Sequence, residues 1–273
     1  MKKPRNTGFE KGRTAPPSGI RSQNLIHFII PLYNKETTVV KNVTSVQNFI
    51  QSKLRDEYEI LLCDDGSTDR TYECARELAA HMPHIRIVGY SKNKGRGYAI
   101  KFAAKTCTGN RAIYFDLDLP RTTPLEKILE MVRTLENHPV VIGSRFHPLS
   151  CTKRKPVRGL VGRIYLLFTK WFFPKLKLTD PDMGFKGFHR SVLQQINKIS
   201  RMDGWSWDLE FLVAARQNNI PIEEIPIDWN EQHEEYSSSV HIFKDGWEEL
   251  RGMTRIRRNM KKGLYVLYRD LTT

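Results

Sequence analysis

Short apolar runs alternate with longer stretches of helical period along the first half of the chain. The apolar runs lie at 25–32, 58–63, 85–90, 112–116 and 140–144. The stretches of helical period between them lie at 36–51, 69–81, 97–107 and 125–137. Uninterrupted apolar runs are typical of strands buried on both faces, and apolar residues spaced three or four apart are typical of amphipathic helices. The pattern predicts five strands separated by four helices.

This alternation predicts an α/β fold in which a mostly parallel sheet is covered by helices on both faces. Strand–helix–strand units cross over with right-handed sense, so that successive strands run parallel. Ligands of such sheets bind beyond the carboxyl ends of the strands. We therefore look for functional residues directly after each strand.

Composition divides the chain into three parts. Residues 1–24 carry six basic residues and one acidic residue with almost no large apolar side chain, and they predict a flexible basic tail. Residues 25–235 form the predicted domain, which includes a basic loop at 152–158 and an apolar helix at 160–173. Residues 236–273 form a basic helical segment, which either lies at a membrane interface or docks on the domain with its charges outward.

The charge balance bears on the partner. Lysine and arginine number 44 against 30 acidic residues, giving a formal charge of +14, which predicts an anionic partner. A hydrophobic fraction of 40% over 273 residues excludes a wholly disordered chain. A nucleic-acid-binding module is one hypothesis for the positive charge. However, no RNA-binding or helix-turn-helix motif is present, so we expect no specific nucleic-acid partner.

The cysteines and the apolar runs indicate the compartment. No run approaches the roughly 18 apolar residues of a membrane-spanning helix, and the N-terminus lacks the apolar region of a secretory signal. The four cysteines lack paired metal spacing and are too few to cross-link a chain of this size. We expect a cytoplasmic protein with reduced thiols in its core, at Cys63, Cys74, Cys107 and Cys151.

Polar clusters follow three of the predicted strands. They are 31–36 (PLYNKE), 64–69 (DDGSTD) and 116–118 (DLD). An isolated Asp-x-Asp is more often a solvated turn, but this one ends a strand beside the other two clusters. Asp116 and Asp118 present two carboxylates to one hard cation, and Mg²⁺ or Mn²⁺ joins such carboxylates to substrate phosphates. Residues 93–97 (NKGRG) add a basic strip near such a phosphate, although they lack the complete P-loop motif.

In order, spacing and residues, these segments resemble the family 2 glycosyltransferases from position 31 to about 259. The segments 143–145 (GSR), 180–186 (DPDMGFK) and 205–210 (WSWDLE) are most similar to the dolichyl- or polyprenyl-phosphate glucosyltransferases and mannosyltransferases. The resemblance implies a GT-A fold, a nucleotide-sugar donor and inversion at the anomeric carbon. It implies transfer of glucose from a UDP-sugar to a polyprenyl phosphate. A GDP-mannose donor and a polysaccharide hydroxyl acceptor are the alternatives.

The resemblance, together with the basic segments, gives roles to individual residues. The nucleotide contacts would be Pro31, Tyr33, Glu36, Asp65, Lys94 and Asp116. The metal ligands would be Asp116 and Asp118. The catalytic acids would be Asp180, Asp208 and Glu210. The acceptor phosphate would contact Arg145, Lys186 and Arg158. One departure is Ser239, which stands where relatives usually place a phosphate-binding lysine.

The two kinds of acceptor need different chemistry. A hydroxyl must be deprotonated by a positioned carboxylate, for which Asp208 is the candidate, whereas a lipid phosphate is already ionised at neutral pH and needs cations. The basic loop beside the apolar helix favours a membrane-facing acceptor site, and a solvated loop is the alternative. Basic side chains near an anionic leaflet contribute about 1 kcal/mol each. We therefore expect peripheral contact with an anionic membrane, at its cytosolic face.

Overall fold

The computed structural model describes residues 24–153, 156–230 and 242–267. Within these ranges the strands are β1 (Ile26–Leu32), β2 (Tyr58–Asp65), β3 (Ile85–Tyr90), β4 (Arg111–Phe115), β5 (Val140–Ser144), β6 (Thr152–Lys153), β7 (Phe185–His189), β8 (Glu223–Pro226) and β9 (Trp229–Asn230). The helices are α1 (Val39–Lys53), α2 (Thr71–His81), α3 (Arg96–Ala104), α4 (Leu119–Thr122), α5 (Glu126–Thr134), α6 (Pro156–Phe172), α7 (Arg190–Ile199), α8 (Trp207–Gln217) and α9 (Ile242–Lys261). All nine predicted elements of the first half are present.

Seven of the strands described form one sheet in the order β3-β2-β1-β4-β7-β5-β8. Neighbouring strands are parallel except at β7, which runs antiparallel to both β4 and β5. The prediction of a mostly parallel sheet is therefore confirmed. The sequence pattern did not show that β7 would separate β5 from β4.

The runs are mostly apolar because both faces of the central strands are covered. Along β1, Phe28 packs into the cluster with α1, α2 and α5, whereas Ile29 packs into the cluster with α3, α7 and α8. Successive side chains of a strand point to opposite faces, so a strand between two helical layers carries apolar residues on both faces. The polar exceptions in β1, β2 and β3 include His27, Glu59 and Arg86, which are buried and contact one another.

Two later helices complete the molecule around the carboxyl ends of the strands. Helix α6 begins at Pro156, so residues 156–158 form its first turn instead of belonging to the predicted loop. Proline is tolerated there because the first turn needs no N–H donor. Helix α9 packs against α6 and α8 and buries Met253 and Ile256. None of the helices in the described ranges is long and apolar enough to cross a membrane.

The cysteines are all free thiols, but they do not all lie in the core. Cys63 and Cys107 are buried, Cys74 is partly buried and Cys151 is exposed. The expectation of a core position is therefore wrong for Cys151, which lies in the loop before β6 instead of in a sheet or helix.

Candidate active site

The carboxyl ends of β1, β2, β4 and β5 open into a cavity of about 680 Å³. Residues after the first strands line part of it, namely Pro31, Tyr33, Lys35, Asp65, Arg96, Asp116 and Asp118. Residues from later in the chain line the rest, and they include Arg145, Tyr165, Asp180, Asp182, Trp205, Trp229 and Glu249. Polar clusters that are far apart in the sequence therefore meet in one site, as strand-end placement predicts.

The segment at the end of β1 brings two of its three predicted nucleotide contacts to the cavity. Pro31 and Tyr33 line the cavity. The Glu36 carboxylate instead accepts a hydrogen bond from the Arg70 N–H at 2.9 Å, and Glu36 is not among the lining residues. The structure thus brings Pro31 and Tyr33 to the site, while Glu36 fixes the start of α2.

Asp65 ends β2 and holds the loop 93–95 in place. Its carboxylate accepts hydrogen bonds from the Lys94 N–H at 2.8 Å, the Gly95 N–H at 2.9 Å and the Tyr90 hydroxyl at 2.7 Å. Gly95 has a φ of 99°, a conformation that glycine adopts without steric cost. Burial raises the pKa of Asp65, and these hydrogen bonds oppose the rise. Asp65 therefore lines the cavity and also shapes the basic strip.

The basic strip places one of its two cations in the cavity. The Lys94 amine lies 4.2 Å from the centre of the Tyr98 ring and donates to the Tyr98 hydroxyl at 3.0 Å. Lys94 is absent from the cavity lining, whereas Arg96, the first residue of α3, belongs to it. Lys94 thus contacts Tyr98 and Arg96 lies near the carboxylates, and the expected nucleotide contact of Lys94 stays a prediction.

Asp116 and Asp118 follow β4 and direct partly exposed carboxylates into the cavity. Their side chains are 45% and 25% exposed. Gly184 lies so close to Asp116 that a Cβ at this position would collide with the carboxylate, so the glycine of the 180–186 segment makes room for it. The enclosed position raises the pKa of Asp116, since burial and the neighbouring Asp208 and Asp118 outweigh the opposing charge of Arg96.

Asp208 lies beneath the cavity floor in a network of ionised groups. Its carboxylate accepts hydrogen bonds from Arg96 Nη2 at 2.5 Å, from Lys186 Nζ at 2.8 Å and from the Tyr114 hydroxyl. Burial alone would raise the pKa of Asp208, but the charges of Lys186 and Arg96 and these hydrogen bonds hold it below its usual range. Asp208 is therefore a stabilised anion.

Lys186 lies on β7 and is fully buried. Its amine donates to Asp208, to the Tyr114 hydroxyl at 3.3 Å and to the Met183 carbonyl. The structure does not bring Lys186 to the cavity lining, where it was expected to contact the acceptor phosphate. It acts on the site through Asp208.

Glu210 is also fully buried, and its carboxylate fixes a loop. It accepts hydrogen bonds from the N–H groups of Arg201 and Met202 at 2.9 Å and from the hydroxyls of Ser200 and Tyr265 at 2.5 and 2.7 Å. Neither Glu210 nor Asp208, both expected among the catalytic acids, is part of the cavity lining. Asp208 contacts the lining residue Arg96, whereas these partners of Glu210 lie outside the lining.

Asp180 positions Arg145 at the cavity wall. The Asp180 carboxylate accepts hydrogen bonds from Arg145 Nε at 2.6 Å, from Arg145 Nη2 at 2.9 Å and from the Arg145 backbone N–H at 2.9 Å. The guanidinium also lies 5.4 Å from the ring centre of Trp229. A bidentate pair fixes the guanidinium plane, so Arg145 is a preorganised cation.

The cavity that Arg145 lines also has an apolar wall from two helices. Val161, Ile164 and Phe168 of α6 line it, together with Leu250 and Met253 of α9. This wall can accept a hydrocarbon chain in the same cavity as the arginine.

Two acidic side chains interrupt the apolar wall. Burial, followed by the nearby charge of Asp182, raises the pKa of Glu249 to about 8, so Glu249 is mostly protonated at neutral pH. The pKa of Asp182 is raised as well, first by burial and then by neighbouring acids, against the charges of Arg145 and Arg96. Both carboxyl groups are therefore easier to protonate than an acid in water.

Some expectations fall outside the described part of the chain. These are the tail 1–23, Ser239 and the basic residues 154–155. Arg158 lies on α6, but its side chain is outside the described atoms, so its expected contact with the acceptor phosphate stays a prediction.

Residues 27–196 match the model of a protein family described as glycosyl transferase family 2. The chain belongs to this family. The family 2 chain is 28% identical over 256 residues to a dolichyl-phosphate beta-glucosyltransferase of Saccharomyces cerevisiae, covering 87% of this chain and 75% of that protein. It is 32% identical over 206 residues to glycosyltransferase AglD of Haloferax volcanii, covering 75% of this chain and 33% of AglD.

A solved structure with the same fold is glucosyl-3-phosphoglycerate synthase from Mycobacterium tuberculosis, in complex with Mn²⁺, UDP-glucose and phosphoglyceric acid. It matches this glycosyltransferase with a TM-score of 0.64 at 15% identity, covering 90% of this chain and 86% of that one. The expected GT-A fold, membership of the family 2 glycosyltransferases and similarity to the dolichyl-phosphate glucosyltransferases are confirmed. The roles of the individual site residues stay predictions.

Several residues that line the site of this glycosyltransferase were not predicted as site residues from the sequence. They are Lys35, Arg96, Tyr165, Trp205 and Glu249. Lys35 and Arg96 belong to the segments 31–36 and 93–97, which already stood out in the sequence. Their positive charge in these segments was a signal that they could lie near anionic groups at the site. Tyr165 and Glu249 lie on helices that carry no motif, and only the packing of α6 and α9 brings them to the cavity.

Proposed function

We propose that this enzyme transfers glucose from UDP-glucose to the phosphate of a polyprenyl or dolichyl lipid, with inversion at the anomeric carbon. In this reaction a phosphate oxygen of the lipid forms a bond to C1 of glucose. The bond between C1 and the diphosphate oxygen breaks, and UDP leaves with the bonding electrons. The yeast relative, a dolichyl-phosphate beta-glucosyltransferase, supports this choice of sugar and acceptor.

The combination of Arg145 and the apolar wall is the observation that carries the proposal. Asp180 holds the Arg145 guanidinium, and α6 and α9 supply apolar side chains to the same cavity. A prenyl phosphate needs this pairing, since its head is an anion and its tail is a hydrocarbon. A polysaccharide acceptor has neither feature.

The state of Asp208 supports a phosphate acceptor over a hydroxyl. Its carboxylate is buried, accepts three hydrogen bonds and has a lowered pKa. A general base should have a pKa near the operating pH, so Asp208 is a weak base for deprotonating an alcohol. A lipid phosphate requires no such base because it is already ionised.

Asp116 and Asp118 are suited to hold Mg²⁺ or Mn²⁺. Their oxygen donors are hard ligands, and both side chains reach the cavity. Among the described residues no group of three or more acidic, histidine or cysteine side chains forms a complete metal site. This fits an ion that takes its remaining ligands from the donor diphosphate and water. When bound, such an ion would supply positive charge to the departing diphosphate.

The outer face of α6 is suited to a membrane surface. Apolar side chains that are 61–67% exposed recur at helical spacing along it, at Val157, Leu160, Leu167 and Trp171, and the cavity-lining Ile164 and Phe168, each 43% exposed, border this face. Arg163 and Lys170 are exposed on the same helix, and the Arg257 guanidinium of α9 lies 5.8 Å from the Trp171 ring centre. An apolar face bordered by cations is typical of helices that bind anionic leaflets. We place the enzyme peripherally at the cytosolic membrane face, where lipid enters the cavity beside α6.

Transfer assays with purified protein test the function. The protein would be incubated with radiolabelled UDP-glucose or GDP-mannose and with dolichyl phosphate, dolichol or 3-phosphoglycerate, followed by extraction into organic solvent. Label from UDP-glucose in the organic phase with dolichyl phosphate, and not with dolichol, is the expected result. Transfer from GDP-mannose and not from UDP-glucose would overturn the assignment of the donor sugar. Transfer to dolichol or to 3-phosphoglycerate and not to dolichyl phosphate would overturn the assignment of the acceptor.

A matched pair of variants separates the acceptor site from general charge effects. Arg145→Lys keeps the positive charge but removes the bidentate geometry, so we expect the KM for dolichyl phosphate to rise about tenfold. Arg133→Lys on the exposed surface of α5 should leave this KM unchanged. Equal KM values for Arg145→Lys and the wild type would argue against phosphate binding at Arg145.

Sedimentation with vesicles tests the membrane surface. We expect the protein to bind vesicles of phosphatidylcholine and phosphatidylserine more tightly than vesicles of phosphatidylcholine alone. The combined change Leu167→Gln and Trp171→Gln should weaken binding at least about tenfold, since it removes apolar surface that would enter the leaflet. Val40→Gln on α1, where Val40 is 46% exposed, is the control. Equal vesicle binding by the wild type and by the Leu167→Gln, Trp171→Gln double variant would exclude α6 as the membrane surface.

A further inference from the structure

Each carboxylate of the Asp116 and Asp118 pair faces a cation of the same chain. Arg96 Nη1 lies 3.2 Å from Asp116 Oδ2, and Lys35 Nζ lies 3.5 Å from Asp118 Oδ2. Lys35 comes from the loop after β1, and Arg96 begins α3. The two carboxylates that would hold a divalent ion are therefore already neutralised by side chains from two other strand ends.

The two cations are held differently. The Arg96 side chain is only 9% exposed, its Nη2 atom donates to Asp208 at 2.5 Å, and its guanidinium lies 4.1 Å from the Trp205 ring centre. Its Nε atom is buried without a hydrogen-bond partner in the described structure. Lys35 is 30% exposed and ends in a flexible stem. Arg96 is thus a fixed charge with unused donor capacity, and Lys35 is a movable one.

A divalent ion that binds alone to these carboxylates meets two like charges. Both cations lie within 3.5 Å of the oxygens that the ion needs, in a partly enclosed cavity where charges interact more strongly than in water. A diphosphate changes this balance, since its oxygens accept hydrogen bonds from lysine and arginine. The carboxylates become available when the two cations have another anion to bind.

We propose that Lys35 and Arg96 are counter-cations that compete with the divalent ion for Asp118 and Asp116, and that when the nucleotide binds, Lys35 moves onto the donor diphosphate while Arg96 donates to it from its fixed position. The protein then binds free metal weakly and binds metal together with nucleotide tightly. This inference rests on the proposed use of a nucleotide sugar and a divalent ion. It adds that Lys35 and Arg96 set the coupling between the two.

Metal titration tests the coupling without any turnover. Free Mn²⁺ would be counted by electron paramagnetic resonance for the wild type and for Lys35→Met, with and without UDP. In the wild type, UDP should tighten Mn²⁺ binding at least about tenfold, which is within the usual range of coupling between ligands. In Lys35→Met, Mn²⁺ without UDP should bind about fivefold more tightly, and UDP should tighten Mn²⁺ binding less than in the wild type, because no lysine remains for UDP to draw away from Asp118.

Control variants make the outcome specific. Lys41→Met removes one positive charge from the exposed surface of α1 and should behave like the wild type. Arg96 is left unchanged in every protein compared, because it belongs to the coupling that the titration measures. Unchanged or weaker Mn²⁺ binding by Lys35→Met without UDP would overturn the inference. If the wild type then still transfers glucose to dolichyl phosphate, the proposed function stands without it.

Discussion

The Nζ atom of Lys186 lies 2.8 Å from a carboxylate oxygen of Asp208, and the two side chains are 0% and 2% exposed. The lysine comes from β7 and the aspartate from the first turn of α8. This contact therefore joins the middle of the sheet to the helix that carries the 205–210 segment. Two charges this deeply buried persist only when each has a partner, so the pair makes the position of one element depend on the other.

Replacing Lys186 with methionine should destabilise the protein strongly. Methionine has a similar length but leaves the Asp208 carboxylate with Arg96 and Tyr114 as its remaining donors. We expect a loss of about 3 kcal/mol in the free energy of unfolding, measured by urea denaturation, since breaking one side of a buried pair leaves an uncompensated charge. The double change Lys186→Met with Asp208→Asn should recover part of this loss. A loss below about 1 kcal/mol in the single variant would contradict a buried ion pair.

Replacing Glu210 with alanine should reduce stability more than catalysis. The change leaves four donors without their acceptor, two backbone N–H groups and two hydroxyls, in a loop that is only partly buried. An unsatisfied buried donor costs about 1–3 kcal/mol, so we expect a total loss of about 3 kcal/mol in unfolding experiments. The initial rate of transfer, measured well below the unfolding temperature, should stay within about threefold of wild type.

This result would separate Glu210 from the cavity residues. A catalytic carboxylate would instead show a large loss of rate with little change in the unfolding midpoint. Glu210→Gln is the conservative comparison, because it keeps one acceptor oxygen while losing the charge.

The strands and helices of the first half could be predicted because both periodicities are strong there. The run 25–32 predicts β1, and the helical stretch after it predicts α1. Strand β7 (Phe185–His189) escaped prediction because it is short and contains Lys186, Gly187 and His189. Its strand conformation is set by pairing with β4 and β5 on either side, which is a tertiary effect.

Site residues at the ends of strands could be predicted from the sequence. Whether a charged residue lies in the cavity or is buried against a partner could not be predicted. Asp65, Asp116 and Asp118 follow strands, so their meeting in one cavity follows from the sheet. Lys186 and Glu210 are charged, and a sequence does not show whether a charge faces a ligand or a buried partner. Each is buried because a partner elsewhere in the fold satisfies it.

A third network lies far from the cavity, at the amino end of the sheet. Glu59 of β2 accepts two hydrogen bonds from Arg86 at 2.9 and 2.7 Å, and His27 Nδ1 lies 3.0 Å from the same carboxylate. His27 Nε2 accepts hydrogen bonds from the N–H groups of Thr108 and Gly109, so Nδ1 carries the hydrogen and is the ring nitrogen close to Glu59. A side chain from each neighbouring strand therefore lies against Glu59.

This network should make stability depend on acid pH. Burial alone would raise the pKa of Glu59, but the hydrogen bonds from His27 and Arg86 and the charge of Arg86 lower it to about 2 from an ordinary 4.5. A lowered native pKa means that the stabilisation is complete above about pH 4.5 and is lost as the pH falls toward 2. The shift corresponds to about 3 kcal/mol. Urea denaturation of wild type and Glu59→Gln should give curves that differ at pH 6 and converge toward pH 2.

Two outcomes would argue against this account of Glu59. One is a constant difference between the two proteins from pH 6 to pH 2, which would indicate a packing effect instead of a titrating carboxylate. The other is a difference that grows as the pH falls, which would require a raised native pKa and so the opposite sign of linkage.

Asp118→Ala should abolish transfer while leaving the fold intact. The Asp118 side chain is partly exposed at the cavity and contacts Lys35 at 3.5 Å, so its removal costs little packing. We expect the initial rate with UDP-glucose and dolichyl phosphate to fall at least about 100-fold, which is typical of losing one charge-stabilising group at a reaction centre. The unfolding free energy should change by less than about 1 kcal/mol. Asp56→Ala is a matched control, since Asp56 is 32% exposed and contacts Arg111 at 3.4 Å near the amino end of the sheet. Retained transfer by a folded Asp118→Ala protein would remove Asp118 from the proposed metal site.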